Sequence, residues 1–279
     1  MSRSLRPTVL IPAIAGFLLG ITADILADYL AASGRPVLIG LVVATALLLF
    51  LALIYRERRR TTGRFGSPVV IRTLVDRYNQ SRHGLIAVVS LYNPDRQSPA
   101  FALTSTERLT AARELDYQTL RLEESNLMVL ITAVETHAPR LTHCWLIATQ
   151  ADDPATSSLT YVPVLEEYLR KVKGLNCAFH SGEQYTLVIE KDDALIAERA
   201  RSLVDRIFQE ATQPSIGLAE NEMIADITGG FRSIPLGMVM ACLDKQRMVQ
   251  FMGTHYDEHA RPTGGLIPIL FEYRAEIAE

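Results

Sequence analysis

Apolar positions along this chain follow two regimes. Between Pro7 and Tyr55 they run almost unbroken, whereas beyond Gly84 they fall into short runs and helical stripes separated by polar turns. "PVLIGLVVATALLLFLALIY", Pro36 to Tyr55, carries no charge over 20 positions. At about 1.5 Å per residue this length crosses the roughly 30 Å hydrocarbon layer of a bilayer. "PTVLIPAIAGFLLGITADILADYLAA", Pro7 to Ala32, is a second run of similar length, interrupted by Asp24 and Asp28 near its far end. With "SGRP" between them, the two runs predict a transmembrane helical hairpin within residues 1–60, spanning about 7–32 and 36–55. Arg3 and Arg6 resemble a secretory leader, but the run is too long for one and a second span follows at once.

Basic residues flank both outer ends, Arg3 and Arg6 before the first span and "RERRR" (Arg56 to Arg60) after the second. The positive-inside tendency places both ends and everything beyond residue 60 in the cytoplasm, with the hairpin in the cell inner membrane. Asp24 and Asp28 are four apart and share a helix face. Counted from Pro7, Asp24 lies about 25 Å along the helix, close to the far interface. A solvated helix end and an acidic pore mouth or interface both fit.

After the hairpin, residues 61–83 read as a linker, "TTGRFGSP", and a connecting helix, "VVIRTLVDRYNQ". Residues 84–279 then alternate strand and helix patterns. "GLIAVVSLYN", "THCWLIATQ", "NCAFHS", "EMIADIT", "RMVQFMGT" and "IPILFEYR" read as strands. "YQTLRLEESNLMVLITAVETHA", "SSLTYVPVLEEYLRKVKG", "DDALIAERARSLVDRIFQEA" and "IPLGMVMACLDK" read as helices. In the third, Ala194, Leu195, Ala197, Ala200, Leu203, Val204, Ile207 and Phe208 gather on one face. The last is almost wholly apolar and is expected to be buried against a sheet. Such alternation predicts an α/β, Rossmann-like, mostly parallel sheet with helices on both faces.

Charge sharpens the division. Of 28 Lys/Arg and 31 Asp/Glu, seven and three lie in residues 1–60, leaving 21 against 28 in the remainder. A part that is acidic by about seven charges is a poor tracker of long nucleic acid, which is bound by releasing counterions to basic side chains. A small phosphate ligand held by a few local donors stays open. Cys144, Cys177 and Cys242 lie in apolar patterns without a CxxC pair, as buried free thiols would. His255 and His259, in "HYDEH", are four apart, but such a lone histidine pair in a loop reads as polar surface, so no metal site is expected.

The stretch with most chemistry is "DITGGFRSIPLGMVMAC", from Asp226. Asp226 ends a strand, Thr228 offers a hydroxyl, and Gly229 and Gly230 allow close backbone approach. Arg232 adds a fixed cation suited to phosphate, while Ser233 can cap the following helix and Pro235 is tolerated in its first turn. The loop has neither the GxxxxGK[ST] of a P-loop nor the GxGxxG of a dinucleotide fold. By chemistry alone, a phosphate-binding turn and a plain strand-to-helix connection are both open.

This stretch resembles the late strand-loop-helix motif of CARF domains, the CRISPR-associated Rossmann-fold sensors of cyclic oligoadenylates, written D-x-[ST]-G-G-[TF]-K. The match is close over about 20 residues, and the element order agrees from Gly84 to the end. The resemblance implies a homodimer or higher homo-oligomer around a cyclic adenylate, with cyclic tetra-adenylate the ring expected first. Its ligand-binding residues would be Thr228, Gly229, Gly230, Phe231, Arg232 and Ser233, together with Ser90, Leu91, Tyr92 and Asn93 after the first strand. Arg232 stands where the family often has lysine. No HEPN-type R-x4-H follows, which leaves the hairpin as the output module, forming a pore or disrupting the membrane. Two other readings remain: a membrane-tethered ring nuclease using Thr228 or Ser90, and a membrane adaptor that binds no nucleotide. No cofactor is expected.

Overall fold

The computed structural model describes residues 69–73, 81–243, 245–259 and 261–273, all within one compact unit, Ser67–Glu279. The expected hairpin, with Asp24 and Asp28, lies outside the described residues. Among those described, no helix is long and apolar enough to cross a membrane.

β2 (Gly84–Val88) is the axis of the fold. Its five residues are all buried, as a strand covered on both faces requires, and this is why its apolar run does not alternate. It pairs in parallel with β3 (His143–Gln150) on one side and β6 (Met223–Asp226) on the other. Beyond β3 lie β4 (Ala178–His180) and β5 (Thr186–Val188), both parallel to it. Beyond β6 come β7 (Met248–Tyr256), parallel, and then β8 (Pro262–Tyr273) and β1 (Val69–Thr73), joined by antiparallel ladders. The order is β1-β8-β7-β6-β2-β3-β4.

Successive strands are therefore laid to one side of β2 and then to the other. Because crossovers are right-handed, the reversal moves the helices from one face of the sheet to the opposite face. Leu85 and Ala87 of β2 pack with α1 (Ser105–Arg113), α2 (Tyr117–Leu120), α3 (Met128–His137) and α4 (Val162–Lys171). Ile86 and Val88 pack with α5 (Asp193–Ala211) and α6 (Ser233–Leu243). The α/β, mostly parallel architecture read from the sequence is thus present, and its switch point lies between β2 and β6.

Four local expectations change. Val69–Thr73, read as part of a connecting helix, is a strand, because its β-branched residues pair with the edge of β8. The helix expected from Tyr117 is split. Arg121 turns left-handed at φ 48°, and Ser125 Oγ accepts the Leu127 N–H, competing with helical bonding before α3 begins. On α5, Ala194 and Leu195 are exposed, since Leu195 falls on the outer row with Arg199, Ser202 and Arg206 rather than the row of Ile196, Ala200, Leu203 and Ile207. Lastly, α6 is not wholly buried: Ile234, Gly237, Met238, Ala241 and Cys242 face inward, but Leu236, Met240 and Leu243 are exposed. At Gly237 a Cβ would lie 2.1 Å from the Ala197 carbonyl oxygen, so only glycine permits this α5–α6 crossing.

Candidate functional site

The switch-point crevice is built from the loops after β2 and β6. Val88, Ser90, Asp226, Thr228 and Gly229, with Asn126 just ahead of α3 and Val129 and Leu130 in its first turn, line a cleft of about 170 Å³. Such a crevice, outside the carboxyl ends of the strands, is where open α/β sheets bind ligands.

Both glycines are required by packing. A Cβ on Gly229 would meet the Val88 carbonyl oxygen at 2.5 Å, and one on Gly230, whose φ is +90°, would meet Val88 Cγ1 at 2.9 Å. The Gly230 N–H donates to Ser90 Oγ at 3.2 Å, closing the loop onto the end of β2. Thr228 is held from two sides: its N–H donates to Asp226 Oδ1 (3.0 Å), and its Oγ1 accepts the Met252 N–H from β7 (2.8 Å). Its hydroxyl also hydrogen-bonds the Asp226 carboxylate. Arg232 is exposed beside the first turn of α6 and makes no ion pair among the described residues. Ser233, expected as a helix cap, is instead the first helical residue, buried, with no hydrogen-bond partner for its Oγ among the described residues. Phe231 is exposed and does not line the cleft.

The loop after β2 divides the same way. Ser90 lines the cleft, whereas Tyr92 belongs to the core: its hydroxyl donates to the Leu120 carbonyl at 2.5 Å and its ring stacks on Tyr161 at 5.0 Å. Burial pushes the Tyr92 hydroxyl up to about 12. Asn126 clamps this loop. Its Nδ2 donates to the Leu91 carbonyl and its Oδ1 accepts the Asn93 N–H, both at 2.8 Å. Leu91 and Asn93 are therefore positioned by their backbones, with Leu91 half-buried against the core and Asn93 exposed.

Beneath the cleft runs a buried polar chain that only the fold assembles. The Arg82 N–H donates to His137 Nδ1 (3.1 Å), His137 Nε2 bonds Gln250 Oε1 (2.8 Å), and Gln250 Nε2 donates to Asp226 Oδ2 (3.0 Å). One arrangement satisfies every partner: neutral His137 protonated on Nε2, with Asp226 accepting from both Thr228 and Gln250. Burial lowers His137 to about 4 and raises Asp226, against the pull of its hydrogen bonds from Thr228 and Gln250. Unfolding restores His137 to its ordinary value of 6.5, so the unfolded chain takes up a proton between pH 6.5 and 4 and stability falls as pH drops through this window. Asp226, being raised, acts in the opposite direction, losing stability as pH rises above its unfolded value of 3.8. Chemical denaturation at pH 7 and pH 4.5 is expected to cost the wild type more than His137→Gln by about 2 kcal/mol. Equal losses would remove His137 as the cause.

Asn126, His137 and Gln250 carried no signal in the sequence, since each is an ordinary polar residue until the fold joins them. Among the described residues, no three His, Cys, Asp or Glu side chains gather to hold a metal ion. His255 lies in β7, and the His259 imidazole lies 3.5 Å from Glu258 Oε1. Cys144 and Cys242 are buried and Cys177 is half-buried; burial pushes Cys242 up to about 12 and Cys177 to about 11. Neither is a ready thiolate.

Fold and cleft together define a doubly wound α/β protein with a crevice at its switch point. No protein-family profile and no curated protein matches the chain.

Proposed function

We propose that this chain is a membrane-anchored sensor of a cyclic oligoadenylate, in which ligand binding to a cytoplasmic CARF-like dimer drives an amino-terminal hairpin to open a pore or disrupt the bilayer, as an effector of type III CRISPR antiviral defence. The observation that carries the reading is the glycine loop at the switch point. Two glycines that pack too tightly on β2 to accept a side chain lead directly to an uncommitted arginine at a helix start, an arrangement that suits a phosphate. The charge-free run of Pro36 to Tyr55 supports the membrane anchor.

The proposed coupling runs along the sheet. The loop hydroxyl of Thr228 is bonded to β7, β7 pairs with β8, and β8 pairs with β1, the strand that follows the apolar region in sequence. Ligand must bind the active arrangement more tightly than the resting one for this ladder to transmit anything.

Thermal unfolding with cyclic tri-, tetra- and hexa-adenylate tests the binding step. At about 100 times Kd, ligand adds about 2.7 kcal/mol and raises Tm by about 5–10 °C for a unit of this size. No shift with any ring would sink the nucleotide reading. Dye release from liposomes carrying the full chain tests the output, and tight binding without release would sink the pore.

A further inference from the structure

We propose that the tip of the β7–β8 hairpin is a second contact surface for the same ligand, with Tyr256 as an aromatic platform on which one base stacks. This rests on the nucleotide reading and adds to it a residue outside the glycine loop. Since β7 runs parallel to β6, its carboxyl end rises at the same rim of the sheet as that loop. The bond from Met252 to Thr228 marks where the two are level. Tyr256 is four residues further along, about 13 Å beyond this level at ~3.3 Å per residue.

Alternation along β7 fixes its side. Gln250 bonds His137 of α3 and therefore lies on the α3 face, where Asn126, Val129 and Leu130 line the cleft. Gly253 pairs with Ile267 and His255 with Thr263, so the extra residues of the irregularity are in β8 and the alternation of β7 is unbroken. Tyr256 thus returns to the α3 side of the sheet. It is 65% exposed, with no hydrogen bond or ring contact among the described residues.

A lone exposed tyrosine would mean little, but its support is preorganised. Asp257 Oδ1 accepts the His259 N–H (2.9 Å) and the Arg261 N–H (2.8 Å), and the Asp257 N–H donates to the Arg261 carbonyl (2.9 Å). This closes the turn beside Tyr256, so little ordering entropy is lost when the ring is used. Carried about 13 Å along β7 beyond the level of Thr228, the ring is placed for a base of an oligonucleotide whose phosphate lies on the loop, not for a mononucleotide seated there. Stacking is tolerant of base identity, so Tyr256 contributes affinity and a preference for large ligands.

Calorimetric titration of the full chain with cyclic tetra-adenylate tests this. Tyr256→Ala is expected to weaken binding about 10-fold, and Tyr256→Phe to stay within about twofold of wild type. Wild-type affinity in the alanine variant, with Arg232→Ala impaired, overturns the platform and leaves the nucleotide reading standing. Failure of phenylalanine to rescue likewise overturns it, because the hydroxyl and not the ring would then matter. Absence of binding by the wild type overturns both.

Discussion

Replacing Arg247 by alanine is expected to destabilise the α/β unit by about 3 kcal/mol, lowering its Tm by about 6–12 °C. The Arg247 side chain is only 1% exposed. Its Nη1 meets Asp205 Oδ1 on α5 at 2.5 Å and also donates to the Ala241 carbonyl of α6. Its Nη2 meets Glu220 Oε1, ahead of β6, at 2.7 Å, and its guanidinium lies 4.1 Å from the centre of the Phe208 ring. One side chain therefore ties α5, α6 and the entry to β6. Both carboxylates are partly exposed and Asp205 keeps Lys245, so they can relax toward water when the arginine is lost. That puts the expected cost at the low end for a buried ion pair. Arg247→Met keeps volume without charge and should lose less. An alanine variant melting within about 2 °C of wild type would show that the network contributes little.

The second large effect concerns binding. Arg232 is exposed and makes no ion pair among the described residues, so Arg232→Ala should leave the melting temperature of the free protein almost unchanged, within about 0.5 kcal/mol. Binding of cyclic tetra-adenylate should fall by about 10- to 150-fold, the worth of charge-assisted hydrogen bonds to a phosphate. Lysine at this position should restore part of the loss, since it supplies the charge without the planar fork. Gly229→Ala should differ from both. Its Cβ meets a backbone oxygen at 2.5 Å, so the loop must move away from β2 and stability and binding should fall together. Titration beside thermal unfolding separates the cases. Undiminished binding by Arg232→Ala would remove the phosphate role assigned to it.

Legibility of the fold varied with burial. β2, β3 and β6 were readable because strands covered on both faces must be apolar throughout. The inward face of α5 was readable from Ala197 onward because its helical period persists over several turns. β1 was not, because an edge strand is decided by its partner β8, about 200 residues away. Within the site, the glycine loop stood out, since glycine is the residue best suited to a φ of +90° and to close backbone contact. The place of Tyr92 was not legible for the opposite reason: nothing near it in sequence discloses that Leu120 and Tyr161 will absorb its hydroxyl and ring.

By itself, then, the sequence determined where chain segments must leave water and where the backbone must turn, because burial period and glycine tolerance are local properties. It therefore specified the alternating strands and helices and the glycine break before α6. Only the tertiary structure decided that Ser90 closes that break, that Asn126 holds the opposite loop, and that His137, Gln250 and Asp226 form one buried chain beneath the cleft. Hydrogen-bond partners are set by which distant segments the sheet order brings face to face. A polar residue in sequence carries its donors and acceptors, but not the address of what will meet them.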